Sequence, residues 1–209
     1  EGKAAEAEAR FRSLLAAESA AARPAGSHTQ REGRLLSDLG ASLRAQGKFD
    51  EAIAIQREAI VASSTALGSE SLEVAAARNN LASALVQKGD LESAIELFEQ
   101  TLATRRALLR GDHPLVVRVM ANLGLAKLRA DRVDEAAALL SEASGLWDSA
   151  FGPDHPGRIS TMTSLSRSSV SLRCSMTGWI ASAEGAFSAS RSARTDTEAV
   201  LMALSSSRS

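Results

Sequence analysis

Two separate landmarks in the sequence recur at the same distance of 42 residues, and this period constrains the fold more than any other feature. One landmark is an apolar residue followed by a small one, at Leu39-Gly40, again at Leu81-Ala82 and again at Leu123-Gly124. The other is His113-Pro114, which returns as His155-Pro156. Because two unrelated patterns share one period, the chain consists of repeated units, and such units bury their apolar faces by stacking on their neighbours.

Each unit reads as two helices joined by a turn. In the second unit, apolar residues recur at helical spacing over Ser71 to Lys88 and again over Leu91 to about Leu109. Gly89-Asp90 separates the two runs, and a glycine just past a helix end readily adopts the left-handed backbone conformation that ends a helix. We call the first helix of a unit helix A and the second helix B.

The connections between units carry a helix-start signal. The segments at residues 111–114 and 152–156 place an aspartate or histidine before a proline. Aspartate or histidine can cap the next helix, and proline suits the first position of a helix. Hydrophobic residues make up 44 % of the chain but aromatic residues only 3 %, and alanine and leucine, which supply much of the rest, are strong helix formers. The sequence therefore predicts an all-α fold, a right-handed superhelical solenoid of antiparallel helix pairs.

These residues resemble the tetratricopeptide repeat family. That family has a small residue at place eight of the unit, in helix A, and an alanine at place twenty, in helix B. The corresponding residues here are Gly40, Ala82 and Gly124, then Ala52, Ala94 and Ala136. The usual repeat has 34 residues, whereas the 42-residue length looks like the variant in kinesin light chains and in bacterial signalling proteins. HEAT and armadillo repeats have a similar length but lack this small-residue crossing and its turn.

The period divides the chain into three parts. Residues 1–27 read as helix B of an incomplete unit and its turn, with a helix over Ala4 to Ala22, and residues 28–156 read as three helix pairs. Residues 157–209 depart from the pattern and then approach the start of a further helix. They are interpreted as a degenerate unit, a capping unit with a polar outer face, or a sequence read partly in a wrong frame, and we expect poor order there.

The resemblance implies a binding groove on the concave face, lined by places two, six, nine and thirteen of helix A. The polar residues there are Arg34, Asp38, Asn80, Ser83, Gln87, Arg118, Asn122 and Arg129. Asparagine can pair with a peptide backbone because it offers a donor and an acceptor, and arginine can hold a carboxylate through two parallel hydrogen bonds. The alternative is that the asparagines bond only neighbours in their own helix and that the arginines are solvated.

No catalytic or cofactor-binding pattern is present in the sequence. It has no glycine-rich phosphate loop and no His-Glu-x-x-His zinc motif, so we expect no enzyme activity, cofactor or metal. His113 and His155 recur in the same turn, which favours a role at the helix start over metal binding. Trp147 and Trp179 are interpreted as packing residues.

Charge and composition indicate which classes of partner and which cellular compartment to expect. The formal net charge of −1 argues against a nucleic-acid partner. No apolar run reaches the roughly 18–20 residues that a membrane helix needs, so no membrane partner is expected. The single cysteine, Cys174, forms no internal disulfide, and the cytoplasm is the expected compartment.

The predicted function is that of a protein–protein interaction scaffold, which binds a peptide or a partner protein in its concave groove. The alternative is the regulatory repeat tail of a larger bacterial signalling protein, such as a serine/threonine kinase or a nucleotide-binding regulator. The first residue, Glu1, motivates that alternative, because it is not methionine and lies inside a half unit.

Overall fold

The computed structural model describes residues 2–20 and 27–151, and these residues form seven α-helices. The helices are α1 (Gly2–Ser19), α2 (Gln30–Ala45), α3 (Phe49–Leu67), α4 (Leu72–Lys88), α5 (Leu91–Leu108), α6 (Pro114–Arg129) and α7 (Val133–Phe151). Each helix packs on the next one along the chain. In addition, α2 contacts α4 and α4 contacts α6, so the helices A form a contiguous layer. The predicted all-α class is confirmed.

The helix A starts are capped by side chains from the connecting turns. Thr29 Oγ1 accepts a hydrogen bond from the Glu32 amide at 3.0 Å, at the start of α2. At the start of α6, His113 Nδ1 accepts one from the Leu115 amide at 3.1 Å, and Pro114 follows as the first helical residue. These bonds satisfy amides that have no partner inside the helix. The predicted helix-start role of His113 is confirmed.

The turns within the three helix pairs share one backbone conformation at the same place. Gly47, Gly89 and Asp131 have φ angles of 77°, 92° and 60°. The predicted left-handed glycine at the end of α4 is therefore confirmed at Gly89. In the third turn an aspartate takes a conformation that favours glycine, since a Cβ atom crowds the backbone at positive φ.

The small residues at place eight face bulky side chains of helix B. A Cβ atom on Gly40 would lie 2.4 Å from Gln56 Nε2, and one on Gly124 would lie 2.6 Å from Leu140 Cγ. The space that a side chain would need is therefore filled by helix B. The apolar places beside these residues belong to the core, which includes Leu39 and Trp147. The packing role predicted for Trp147 is confirmed.

Several predictions concern residues outside the described ranges. The part 157–209, with its three competing interpretations, lies there, as do His155, Cys174 and Trp179. The predicted first helix, Ala4 to Ala22, is observed as Gly2–Ser19 within the described residues. None of the helices that the structure describes is long and apolar enough to cross a membrane.

Candidate functional site

A row of asparagine hydrogen bonds links successive helices A. Asn80 Nδ2 donates to Ser37 Oγ at 3.1 Å, and Asn122 Nδ2 donates to Asn79 Oδ1 at 3.1 Å. Both bonds join place six of one helix A to place five of the helix A before it. We call these two bonds the asparagine ladder. The alternative that these amides bond only within their own helix is wrong, because each bond crosses to a neighbouring helix.

The remaining predicted groove residues of α4 differ from Asn80 in their contacts. Ser83 Oγ donates to the Asn79 carbonyl oxygen at 2.8 Å, one turn earlier in the same helix. Gln87 is exposed and makes no hydrogen bond with any described residue. From α6, Arg129 Nη1 lies 3.5 Å from the Val86 carbonyl oxygen, at the outer limit of a hydrogen bond. The middle of the helix A layer therefore carries neutral polar groups.

The predicted groove arginines do not share one environment. Arg34 Nη2 donates to Glu73 Oε1 of α4 at 2.8 Å, and Gln30 donates to the same oxygen at 2.8 Å. The bond from Arg34 is the main cause of the lowered pKa of Glu73. Arg118 is exposed and forms neither an ion pair nor a hydrogen bond with the described residues. Arg34 is thus engaged in joining two helices, whereas Arg118 is open.

Asp38 is an open carboxylate on α2. It is exposed, yet its surroundings desolvate it enough to raise its pKa, and the charge of Arg34 opposes that rise. It has no hydrogen bond or ion pair with a described residue. Arg34 lies one helical turn before Asp38, but its guanidinium donates to Glu73 instead.

Sequence reasoning missed a buried arginine beside this face. Arg105 of α5 is 1 % exposed, its Nη1 donates to the Leu115 carbonyl oxygen at 2.8 Å, and its buried Nε has no partner among the described residues. Burial, and then the charge of Arg118, lower the pKa of Arg105 to about 10. The equivalent residues 42 places away are Ser63 and Trp147. Lining up the units would have shown a charged residue at a buried place.

A second missed residue is Lys127 of α6, which is buried and pairs with acids of two helices B. Its Nζ lies 2.8 Å from Glu99 of α5 and 2.7 Å from Glu135 of α7. Arg132 also donates to Glu135, at 2.7 and 2.8 Å. The bonds from Arg132 and then Lys127 lower the pKa of Glu135 to about 2. This charge network links three helices, and both acids are half-exposed on helices B.

Neither a metal-binding cluster nor a reactive cleft is found among the described residues. Within the described residues, no group of three histidine, cysteine, aspartate or glutamate side chains is placed to hold a metal ion. An open cleft lies between α3, the end of α4 and the start of α5, and Leu85 and Ile53 form part of its wall. Asp50 and Lys88 pair across it, and Asp90 accepts a bond from the Ser93 amide. These contacts are structural.

Comparison with known proteins gives a family match and a fold match. The tetratricopeptide repeat model matches residues 31–107 and 75–144. The repeats of a Podosopora anserina protein assigned to the kinesin light chains are 24 % identical, over 80 % of this chain and 78 % of that one, with a TM-score of 0.65. A variant of that protein is 22 % identical, over 94 % and 89 %, with a TM-score of 0.70.

A third solved structure, BtubC (BKLC) from P. vanneervenii, is 17 % identical, over 83 % of this chain and 65 % of that one, with a TM-score of 0.60. No curated protein matches the chain significantly. At these identities the structural similarities show the fold alone, and they confirm the predicted solenoid of helix pairs.

Proposed function

Because this chain belongs to the tetratricopeptide repeat family, we propose that it binds an extended peptide segment of a partner protein along the inner face formed by α2, α4 and α6. Repeats of this family generally mediate contacts between proteins, and the fold is typically a scaffold without catalytic activity. The residues proposed to form the binding face are Arg34, Asp38, Asn80, Ser83, Gln87, Arg118, Asn122 and Arg129.

The observation that carries the proposal is the asparagine ladder. Each ladder bond uses one hydrogen of an amide, while a carboxamide has a second hydrogen and an oxygen with two lone pairs. The bond to the neighbouring helix fixes the orientation of the amide, so that less side-chain entropy is lost when a peptide backbone pairs with the remaining groups. Two amides held at equivalent places of adjacent helices match the repeating donors and acceptors of an extended chain.

The binding test uses peptides selected from a displayed random library on the full chain. Asn80→Ala together with Asn122→Ala should weaken the affinity for the selected peptides by about tenfold, because two pairs of hydrogen bonds to the ligand are lost. Fluorescence anisotropy gives the affinity, and circular dichroism shows whether helicity is kept. Unchanged affinity in the double variant would rule out the asparagines as ligand contacts.

Ser37→Ala is the matched control for Asn80. It removes the acceptor of the same ladder bond but leaves the amide in place. If the asparagine contacts the peptide directly, Asn80→Ala must weaken binding several times more than Ser37→Ala. Equal losses would mean that the ladder acts only by holding the helices in register. Ser141→Ala, an exposed change on α7, controls for effects outside the face.

The proposal extends to the compartment of the protein and to the class of its partner. We place the protein in the cytoplasm, on the basis of its single cysteine, and fractionation of cells that express the full chain tests this. A protein partner is proposed over a nucleic acid because the net charge is −1. The regulatory tail of a larger signalling protein stays a prediction.

A further inference from the structure

At places two and six of helix A, the charges that remain open differ in sign between α2 and α6. On α2 the open charge is the carboxylate of Asp38, and Arg34 is neutralised by Glu73 at 2.8 Å. Arg44, six residues after Asp38 in the last turn of α2, also has no ion pair among the described residues, and its Nε is buried. The open charge that α2 presents at places two and six is therefore acidic.

The α6 end of the inner face is basic. Arg118 is exposed and has no acidic partner among the described residues. Arg105 lies buried nearby, also without an ion pair among those residues, and the two guanidinium groups repel each other. A negative group from outside would relieve that repulsion. Places two and six therefore carry an acidic group on α2, neutral groups in the middle, and a basic group on α6.

We propose that the inner face reads the charge order of its peptide, with a lysine or arginine held by Asp38 over α2 and an aspartate or glutamate held by Arg118 over α6. This inference rests on the proposed function and adds the partner's chemistry to it. The occupant is one extended segment of a partner protein, and the argument for it is charge complementarity along the layer.

Helix geometry sets the spacing of the two charges in the peptide. Packed helices lie about 8–10 Å apart, so two steps from α2 to α6 span about 20 Å. An extended chain advances about 3.3 Å per residue, so the basic and acidic residues of the peptide are separated by about six residues. Asn80 lies between the two ends and pairs with the backbone of the intervening residues.

The two charged residues have no structural role that would confuse the test. Asp38 and Arg118 make no hydrogen bond or ion pair with the described residues, and each has an unfavourable environment, desolvation for one and a neighbouring cation for the other. We therefore expect Asp38→Asn and Arg118→Gln to leave thermal unfolding unchanged or to raise its midpoint. A variant that lowers peptide affinity without lowering stability then reports a ligand contact.

The experiment selects from a displayed library of random peptides of about twelve residues on the full chain, and in parallel on three variants. The wild-type chain should enrich peptides with one basic and one acidic residue about six residues apart. Asp38→Asn should lose the basic preference alone, Arg118→Gln the acidic preference alone, and Asp38→Arg should enrich peptides with acids at both places. Each neutral variant should bind a wild-type peptide about three- to fivefold more weakly, as expected for an exposed ion pair.

The outcomes separate this inference from the proposed function. Enriched peptides that bind through Asn80 but show no charge order overturn the inference and leave peptide binding intact. An unchanged charge preference in Asp38→Arg overturns it as well. If no library enriches on any variant, peptide binding itself fails, and the inference fails with it.

Discussion

The second and third helix pairs follow one 42-residue pattern but differ in the buried residue near the end of helix A. Leu85 of α4 and Lys127 of α6 occupy the same place and are both 5 % exposed. Lys127 is neutralised by Glu99 and Glu135. The repeat therefore fixes which place is buried but not the chemistry of its side chain, because burial of a charge needs partners from the adjacent helices.

Those partners are missing around the second pair. One repeat earlier, the places of Glu99 and Glu135 hold Arg57 and Ser93. A lysine at position 85 would therefore meet Arg57 where the third pair supplies an acid, and the two acids that line the same cleft, Asp50 and Asp90, already accept bonds from Lys88 and from the Ser93 amide. The two residues can be exchanged by substitution, leucine to lysine in the second pair and lysine to leucine in the third. The two changes should alter the free energy of unfolding by unequal amounts.

Leu85→Lys should be the most damaging change. It removes a buried leucine and brings an ammonium group next to Arg57, so we expect a loss of about 3 kcal/mol in the free energy of unfolding. Urea denaturation followed by circular dichroism measures it. Leu85→Met is the control for size and shape, and it should cost less than about 1.5 kcal/mol. A loss as small as that of the control would show that the place tolerates charge without dedicated partners.

The reverse exchange, Lys127→Leu, should change stability little. Leucine removes the desolvation cost of the buried ammonium group, and the two acids left without it are about half exposed and can be hydrated, so we expect a free energy of unfolding within about 1 kcal/mol of wild type. Lys127→Ala leaves a cavity and should cost about 2 kcal/mol. The same denaturation curves report both. If leucine is as costly as alanine, the third pair depends on the charges themselves.

The turns of the two pairs give a smaller effect of the same kind. Gly89 and Asp131 share a positive φ angle, and no atom lies within 4 Å of the position that a Cβ on Gly89 would take. Gly89→Asp should therefore cost about 1 kcal/mol through backbone conformation alone, and Asp131→Gly should stabilise by up to about 1 kcal/mol. Thermal unfolding of both variants checks this. A stabilising Gly89→Asp would contradict it.

The acid dependence of the third pair should be the smallest effect. Hydrogen bonds from Arg132 and then Lys127 to the ionised carboxylate hold the pKa of Glu135 at about 2, below its ordinary value of 4.5. The unfolded chain then binds more protons below about pH 4.5, so this contribution is complete above that pH and is lost as the pH falls toward about 2.

Glu135→Gln removes the titrating group, so the melting temperature of this variant should fall less steeply below about pH 4.5 than that of wild type. Glu58→Gln is the control, since Glu58 is exposed and forms no ion pair with a described residue. Parallel slopes for wild type and Glu135→Gln would show that the network adds nothing to stability.

Much of the fold could be read from the sequence because its causes are local. Helical spacing, Gly89 and the His113-Pro114 pair act within a few residues of the chain, and each was observed as predicted. Arg105 and Lys127 do not belong to the features that the units share, so the repeat pattern did not predict them. Each is a charged residue at a buried place where an equivalent unit has an apolar residue, Trp147 for Arg105 and Leu85 for Lys127.

The sequence could predict the place of each candidate residue within its helix, but it could not predict the contacts of the side chain. The resemblance to the repeat family assigns Arg34, Asp38 and Arg118 to one face of helix A. It cannot say that Arg34 pairs with Glu73 while Asp38 and Arg118 stay open, because that pairing joins residues 39 apart on different helices. Which side chains meet there depends on the offset between stacked helices. The sequence by itself thus determined a stack of helix pairs and its inner face, and the tertiary structure decided which charges that face presents.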